Sequence, residues 1–157
     1  MSKLDFMKDQ KLVFGSVHIV ANKKETLMER ELKEFGITFK QWFLLVVIQN
    51  SFDAPPTLNE TAKAMGSSHQ NVKKIASILE EKGYITFEKD KRDSRAKRIR
   101  LTEESYKLSE RIQGHAAVFT SALFAGIDEA DMAKARIVLQ TMMSNLAEME
   151  QNDLDDK

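Results

Sequence analysis

Cysteine is absent from this sequence. That single absence excludes disulfides, thiolate metal sites, cysteine nucleophiles and thiol-based peroxide sensing. Long hydrophobic runs are missing too: the longest, WFLLVVI at residues 42–48, falls far short of the ~18 apolar residues that argue a membrane span. The opening MSKLDFMKDQ has no apolar stretch of the secretory kind, so a cytoplasmic location without membrane contact is the expectation. No G-x-G-x-x-G, Walker, H-E-x-x-H or G-x-S-x-G pattern occurs, so catalysis has no support and neither cofactor nor metal is expected. Net charge is also lacking, at a formal +0 and a pI near 6.9, where a nucleic-acid binder is usually basic. What remains is a 157-residue chain, 42% hydrophobic and 31% charged, ordinary for one globular domain able to bury a core.

The neutral sum conceals a segregation. Lys89, Lys91, Arg92, Arg95, Lys97, Arg98 and Arg100 crowd into KDKRDSRAKRIRLT, with only Asp90 and Asp93 against them. Acidic residues gather instead at the C-terminal end: Asp128, Glu129, Asp131, Glu148, Glu150, Asp153, Asp155 and Asp156.

Helical spacing of Phe6, Val13, Val17, Val20 and Leu27 predicts a long first helix over residues 5–34, stopped at Gly36. TFKQ, from Thr38 to Gln41, reads as a capping box opening a second helix. That helix carries Phe39, Trp42, Phe43, Val46 and Val47 and ends before Pro55 and Pro56. TLNE, from Thr57 to Glu60, opens a short helix ending at Gly66, and SSHQ, from Ser67 to Gln70, reads as a third box opening a helix to Gly83. Two helices joined this closely have helix-turn-helix spacing. YITFEKD and RIRL alternate at period two around a polar loop, which predicts a β-hairpin with the basic stretch as its tip and return strand. Thr102 then caps a helix with Leu108, Ile112, Ala116, Phe119 and Leu123. Asp128 caps a last one with Ala135, Val138, Leu139, Met142, Leu146 and Met149. The expected fold is mainly α with about six helices and one small β-hairpin wing, a winged helix-turn-helix with a helical dimerisation region.

At 100° per residue, Val72, Ile75, Ala76 and Leu79 form one stripe of the 67–82 helix, opposite Gln70, Lys73, Lys74 and Ser77. The outward side carries amides, ammonium groups and hydroxyls, the groups that read base edges or grip phosphate. Ser68, His69 and Asn71 lie near its N-terminus, where base-facing residues of such a helix gather. In the loop, Asp93 and Arg95 form an Asp-x-Arg pair whose carboxylate can orient the guanidinium, and arginine suits a narrow, strongly negative minor groove. Lys91, Arg92 and Lys97 complete the cationic wing. A long first helix and a last helix with Met132, Met142, Met143 and Met149 carry more apolar surface than a small winged lobe covers, which a two-fold pair would bury. His18, Trp42 and Phe43 offer a polar tip and flat apolar walls for a small aromatic ligand. His18 and His115 could also approach each other beside a carboxylate, though scattered histidines more often have ordinary roles.

Asp93, Arg95, Leu101 and Thr102, preceded by TLNETAKAMGSSHQNVKKIASILEEKGYI with its closing Glu80, Gly83 and Ile85, resemble the MarR family of winged helix-turn-helix regulators over nearly the whole chain. The resemblance implies a homodimer built from the N-terminal helix (1–36) and C-terminal helices (102–157), around a DNA-binding lobe (37–101). It implies one recognition helix per subunit in the major groove of a pseudo-palindromic operator, with half-sites ~10 bp apart, and each wing in the flanking minor groove. Carried over residue by residue, the resemblance gives Arg95 the minor-groove role, Asp93 its orientation, and the outward face from Ser68 to Lys74 the major groove. Lys73 and Lys74 stand where the family often has Ser or Thr followed by Arg, which favours phosphate contacts over a bidentate guanine contact. The family implies a repressor released by a small, often phenolic, ligand bound between dimerisation helices and DNA-binding lobe. The alternative is a winged-helix module that docks a protein.

Overall fold

The computed structural model describes the backbone of residues 3–155 and the side chains of residues 8–152. Phe6, Asp153, Asp155 and Asp156, named above, lie outside the described side chains. The chain divides into two compact units, Met1–Phe119 and Thr120–Lys157. In the first, α1 (Lys3–Leu32) leads through a 3-10 turn (Lys33–Phe35) into α2 (Phe39–Ser51), α3 (Leu58–Met65) and α4 (His69–Glu81). Strands β1 (Ile85–Lys89) and β2 (Lys97–Leu101) follow, and α5 (Glu103–Leu123) runs across the division. The second unit holds α6 (Glu129–Asp155). Among the described residues, six α-helices and one hairpin agree with the expected mainly α winged architecture.

Local chemistry sets the boundaries. Thr38 and Thr57 each accept the backbone N–H three residues on, while Gln41 and Glu60 reach back to the caps' own N–H groups, so both capping boxes form. Gly36 and Gly66, at φ 64° and 60°, supply the left-handed turns after the 3-10 turn and α3. The third box does not form. Ser67 donates its N–H to the Ala62 carbonyl and so closes α3, and the cap of α4 moves one residue on to Ser68, whose hydroxyl accepts from the Asn71 N–H. Gln70 is released from capping, and its side chain makes no hydrogen bond among the described residues. Thr102 and Asp128 cap α5 and α6 as expected.

One core organises the first unit. Leu44, Leu45 and Ile48 of α2, Val72, Ala76 and Leu79 of α4, Ile85 and Ile99 of the hairpin, Met28 and Leu32 of α1, and Leu108 and Ile112 of α5 are all buried in it. α1 and α5 share this core with the winged lobe, and the division into compact units falls at 119/120. The first-helix stripe read from the sequence has a different fate: Val13, Val17, Val20 and Leu27 are exposed, and Met28 and Leu32 are the α1 side chains that enter the core.

The hairpin is antiparallel, with Ile85 opposite Leu101 and Lys89 opposite Lys97. It is joined by the segment before α3: the Ile99 N–H donates to the Pro56 carbonyl at 2.8 Å, and a single antiparallel bridge pairs Thr57 with Arg98. Ile99 has no exposed surface and plugs the hairpin into the α2–α4 core. Ile99→Ala is expected to lower unfolding free energy by about 2–5 kcal/mol, measured by denaturant titration. A loss below about 1 kcal/mol would show that the wing root contributes little to the core.

Candidate nucleic-acid interface

α4 has two distinct sides. Val72, Ala76 and Leu79 have no exposed surface, whereas Ser68, His69, Gln70, Asn71, Lys73 and Lys74 are exposed. Ser77 is half-buried and donates its hydroxyl to the Lys73 carbonyl, so it is turned onto its own helix. At the N-terminal end, His69 Nδ1 lies 2.6 Å from Asn59 Oδ1, which links the first residue of α4 to α3.

In the wing the two aspartates build the loop. Asp90 Oδ1 accepts the Arg92 N–H at 2.7 Å, and Asp93 Oδ1 accepts the Arg95 N–H at 2.9 Å. The Asp90 N–H to Ala96 carbonyl and Ala96 N–H to Asp93 carbonyl bonds close the turn. Asp93 therefore orients Arg95 through the main chain and not, as expected from the Asp-x-Arg spacing, through the guanidinium. A carboxylate two residues before an N–H forms this local turn readily. Lys91, Arg92, Asp93, Arg95 and Lys97 are exposed, and none of the four cations has an ion pair among the described residues. The Lys97 ammonium lies 5.2 Å from the Phe87 ring centroid.

The two cationic elements meet at one cavity of about 300 Å³, lined by Asn59, His69 and Lys73 from the helix-turn-helix and by Asp93, Arg95 and Lys97 from the wing. They share a side of the first unit. Arg98, which sequence alternation marked only as one more basic position, fixes this relation. Its guanidinium pairs with Asp90 at 2.7 Å, donates to the Pro55 carbonyl at 2.7 Å and lies 3.8 Å from Glu60. Its signal is non-local, since Pro55 is 43 residues away. On the strand face, Arg100 makes a two-pronged pair with Glu88, one arm at 3.0 Å.

The residues named for a small ligand are dispersed. His18 is exposed and lies 3.1 Å from Asn22 on its own helix, while Phe43 stacks on Phe39 with centroids 5.7 Å apart. Trp42 lines a cavity of about 280 Å³ between α2 and α5, with Tyr106, Ser109, Gln113 and Ala116. His115 faces Glu31 and Glu34 at 3.5 and 3.6 Å and meets Phe35 edge-on, so its carboxylate neighbours come from the end of α1 and the 3-10 turn. Among the described residues, no group of three potential metal ligands forms.

The clamp leaves an electrostatic signature. The Arg92 N–H, and then Arg98, hold the Asp90 carboxyl below the usual carboxylate range. Thr57, and then Arg98, do the same for Glu60. A depressed carboxylate contributes above its ordinary pKa, near 4, and loses that contribution as pH falls through its folded value. The clamp is therefore complete at neutral pH and weakens in acid. Arg98→Ala is expected to raise both carboxyl midpoints in a carbon-13 titration. Unchanged midpoints would contradict the clamp.

Comparison with known proteins agrees with this geometry. The model of the MarR family matches residues 35–96, which contain α2 to α4, β1 and the wing loop. The fold is shared with a MarR/EmrR family transcriptional regulator from Acinetobacter sp. ADP1, at 21% identity over 88% of this chain and 97% of that one, TM-score 0.78. It is shared with S. aureus MepR, solved as a DNA complex, at 24% identity over 82% and 94%, TM-score 0.73. CouR from Rhodococcus jostii RHA1, solved with p-coumaroyl-CoA bound, matches at 19% identity over 83% and 91%, TM-score 0.73. The family's model thus matches the helix-turn-helix, β1 and the wing loop, and the winged helix-turn-helix fold of these MarR-family proteins is followed along more than four-fifths of this chain.

Proposed function

We propose that this protein is a sequence-specific DNA-binding transcriptional regulator that acts as a homodimer and represses until a small aromatic ligand releases it. The observation that carries the DNA reading is the cavity shared by α4 and the wing: Lys73, Arg95 and Lys97 line it together. A helix presenting amides and amines suits the major groove, and a cationic loop beside it suits the adjacent minor groove. In this reading His69, Gln70 and Asn71 meet base edges, Lys73 and Lys74 hold phosphates, and Arg95 enters the minor groove with Lys91, Arg92 and Lys97 around it. MepR, solved with DNA, supports the same use of the fold.

The homodimer rests on apolar side chains that a single chain leaves in water. Leu12, Phe14, Ile19 and Val20 of α1 are 53–81% exposed, and Ile137, Leu139, Met143 and Leu146 of α6 are 46–62% exposed. Surfaces of this extent mark an interface, and a two-fold pair covers each with its counterpart. Residues 1–36 and 102–157 are accordingly assigned to dimerisation, and 37–101 to DNA. For the effector, the cavity beside Trp42, with Tyr106 and Gln113, offers aromatic walls and amide donors. CouR, solved with an aromatic thioester bound, supports ligand control.

The test is selection of bound duplexes from a random pool, followed by affinity measurement across salt. A pseudo-palindrome should emerge, bound by a species of twice the 17.9 kDa chain mass, with affinity falling steeply as salt rises. Arg95→Ala should weaken binding about tenfold and reduce the magnitude of the log–log salt slope by about one. Failure to retain any duplex, or retention insensitive to salt, would overturn the regulator reading in favour of a protein-docking module.

A further inference from the structure

α4 begins with a histidine whose ring is tied to another helix. His69 is the first residue of α4, and its Nδ1 lies 2.6 Å from the side-chain oxygen of Asn59, the second residue of α3. An amide oxygen only accepts, so Nδ1 carries the hydrogen and donates it. In the neutral ring the other nitrogen, Nε2, is then left with a lone pair and acts as an acceptor. Both residues are exposed, and both line the cavity shared with Lys73, Asp93, Arg95 and Lys97. The pair thus lies at the N-terminal end of the helix, between its polar face and the wing.

We infer that Asn59 and His69 form a base-discriminating pair, in which Asn59 fixes the tautomer of His69 so that Nε2 accepts a hydrogen bond from an exocyclic amino group in the major groove. The inference rests on the DNA reading above. Only adenine N6 and cytosine N4 present an amino donor in that groove, whereas guanine and thymine present acceptors there. An acceptor at Nε2 therefore favours adenine or cytosine at one position of each half-site and faces lone pairs at the other two bases. Asn59 is a positioning residue: it acts through the imidazole. The neighbouring lysines and arginines, which can only donate, cannot supply this selectivity. Gln70 and Asn71 each carry a donor and an acceptor, so they discriminate by a different pattern. The histidine and its tether make one position of the site readable by an acceptor alone.

Two measurements on the full-length protein test this. The first is nitrogen-15 NMR of the His69 ring, at a pH where the imidazole is neutral, in the wild type and in Asn59→Ala. The wild type should show the hydrogen on Nδ1, and the variant should move toward Nε2–H, while circular dichroism of the two stays the same. The second is duplex selection with the wild type, Asn59→Ala and His69→Ala. The wild type should enrich adenine or cytosine at one half-site position about five- to tenfold, the worth of one hydrogen bond. Both variants should lose that enrichment and keep the preferences elsewhere. A wild-type ring with its hydrogen on Nε2, a wild-type preference for guanine or thymine at the position His69→Ala affects, or an Asn59→Ala profile identical to wild type would each overturn the inference while leaving DNA binding intact. If the wild type enriches no sequence at all, the DNA reading itself falls and the inference with it.

Discussion

The hydrogen bond from the Ile99 N–H to the Pro56 carbonyl is the joint on which the candidate interface depends. Without it the wing is a two-stranded hairpin, and such ribbons are marginal alone in water. Proline suits the accepting side: it has no N–H to leave unsatisfied, and its carbonyl remains available. Pro56 is buried, Ile99 is buried beside it, and the Arg98 guanidinium reaches the Pro55 carbonyl next door. The segment that ends the α2–α3 connection therefore serves as a third strand-like edge for the wing. Because Thr57 also caps α3, the same few residues fix where α3 starts and where β2 lies.

The electrostatics follow from that joint. In a chain with as many acidic as basic residues, the wing could have been neutralised locally. It is not, because its two aspartates spend their carboxylates on the Arg92 and Arg95 main-chain N–H groups. Asp90 also takes Arg98, a cation of β2 and not of the loop. Lys91, Arg92, Arg95 and Lys97 are left exposed. The division of labour has a simple physical basis: an aspartate close in sequence to an N–H finds it before it finds a long, mobile guanidinium, whose ordering costs side-chain entropy.

What the sequence made legible was local or periodic. The boxes at Thr38 and Thr57 involve residues three apart, and the sidedness of α4 is a matter of angle along one helix; both are present in the structure. The box at Ser67 was misplaced by one residue because the choice between Ser67 and Ser68 is made by how the preceding helix closes at Gly66, which spacing does not encode. The structural roles of Arg98 and Asn59 are not legible locally because Arg98 reaches the Pro55 carbonyl and Asn59 the ring of His69, partners remote in sequence. On α1, Val13, Val17, Val20 and Leu27 have helical spacing yet stay exposed, since periodicity identifies an apolar stripe without saying which surface covers it.

The central claim is that α4 and the wing form a single surface that engages both grooves at once. Its most direct test is a footprint on a selected duplex, combining guanine N7 methylation for the major groove with hydroxyl-radical cleavage for the minor groove. The expected result is major-groove protection in each half-site, flanked by minor-groove protection that disappears in Arg95→Ala. Major-groove protection with no flanking minor-groove signal in the unaltered protein would contradict the claim, because it would detach the wing from the helix beside it.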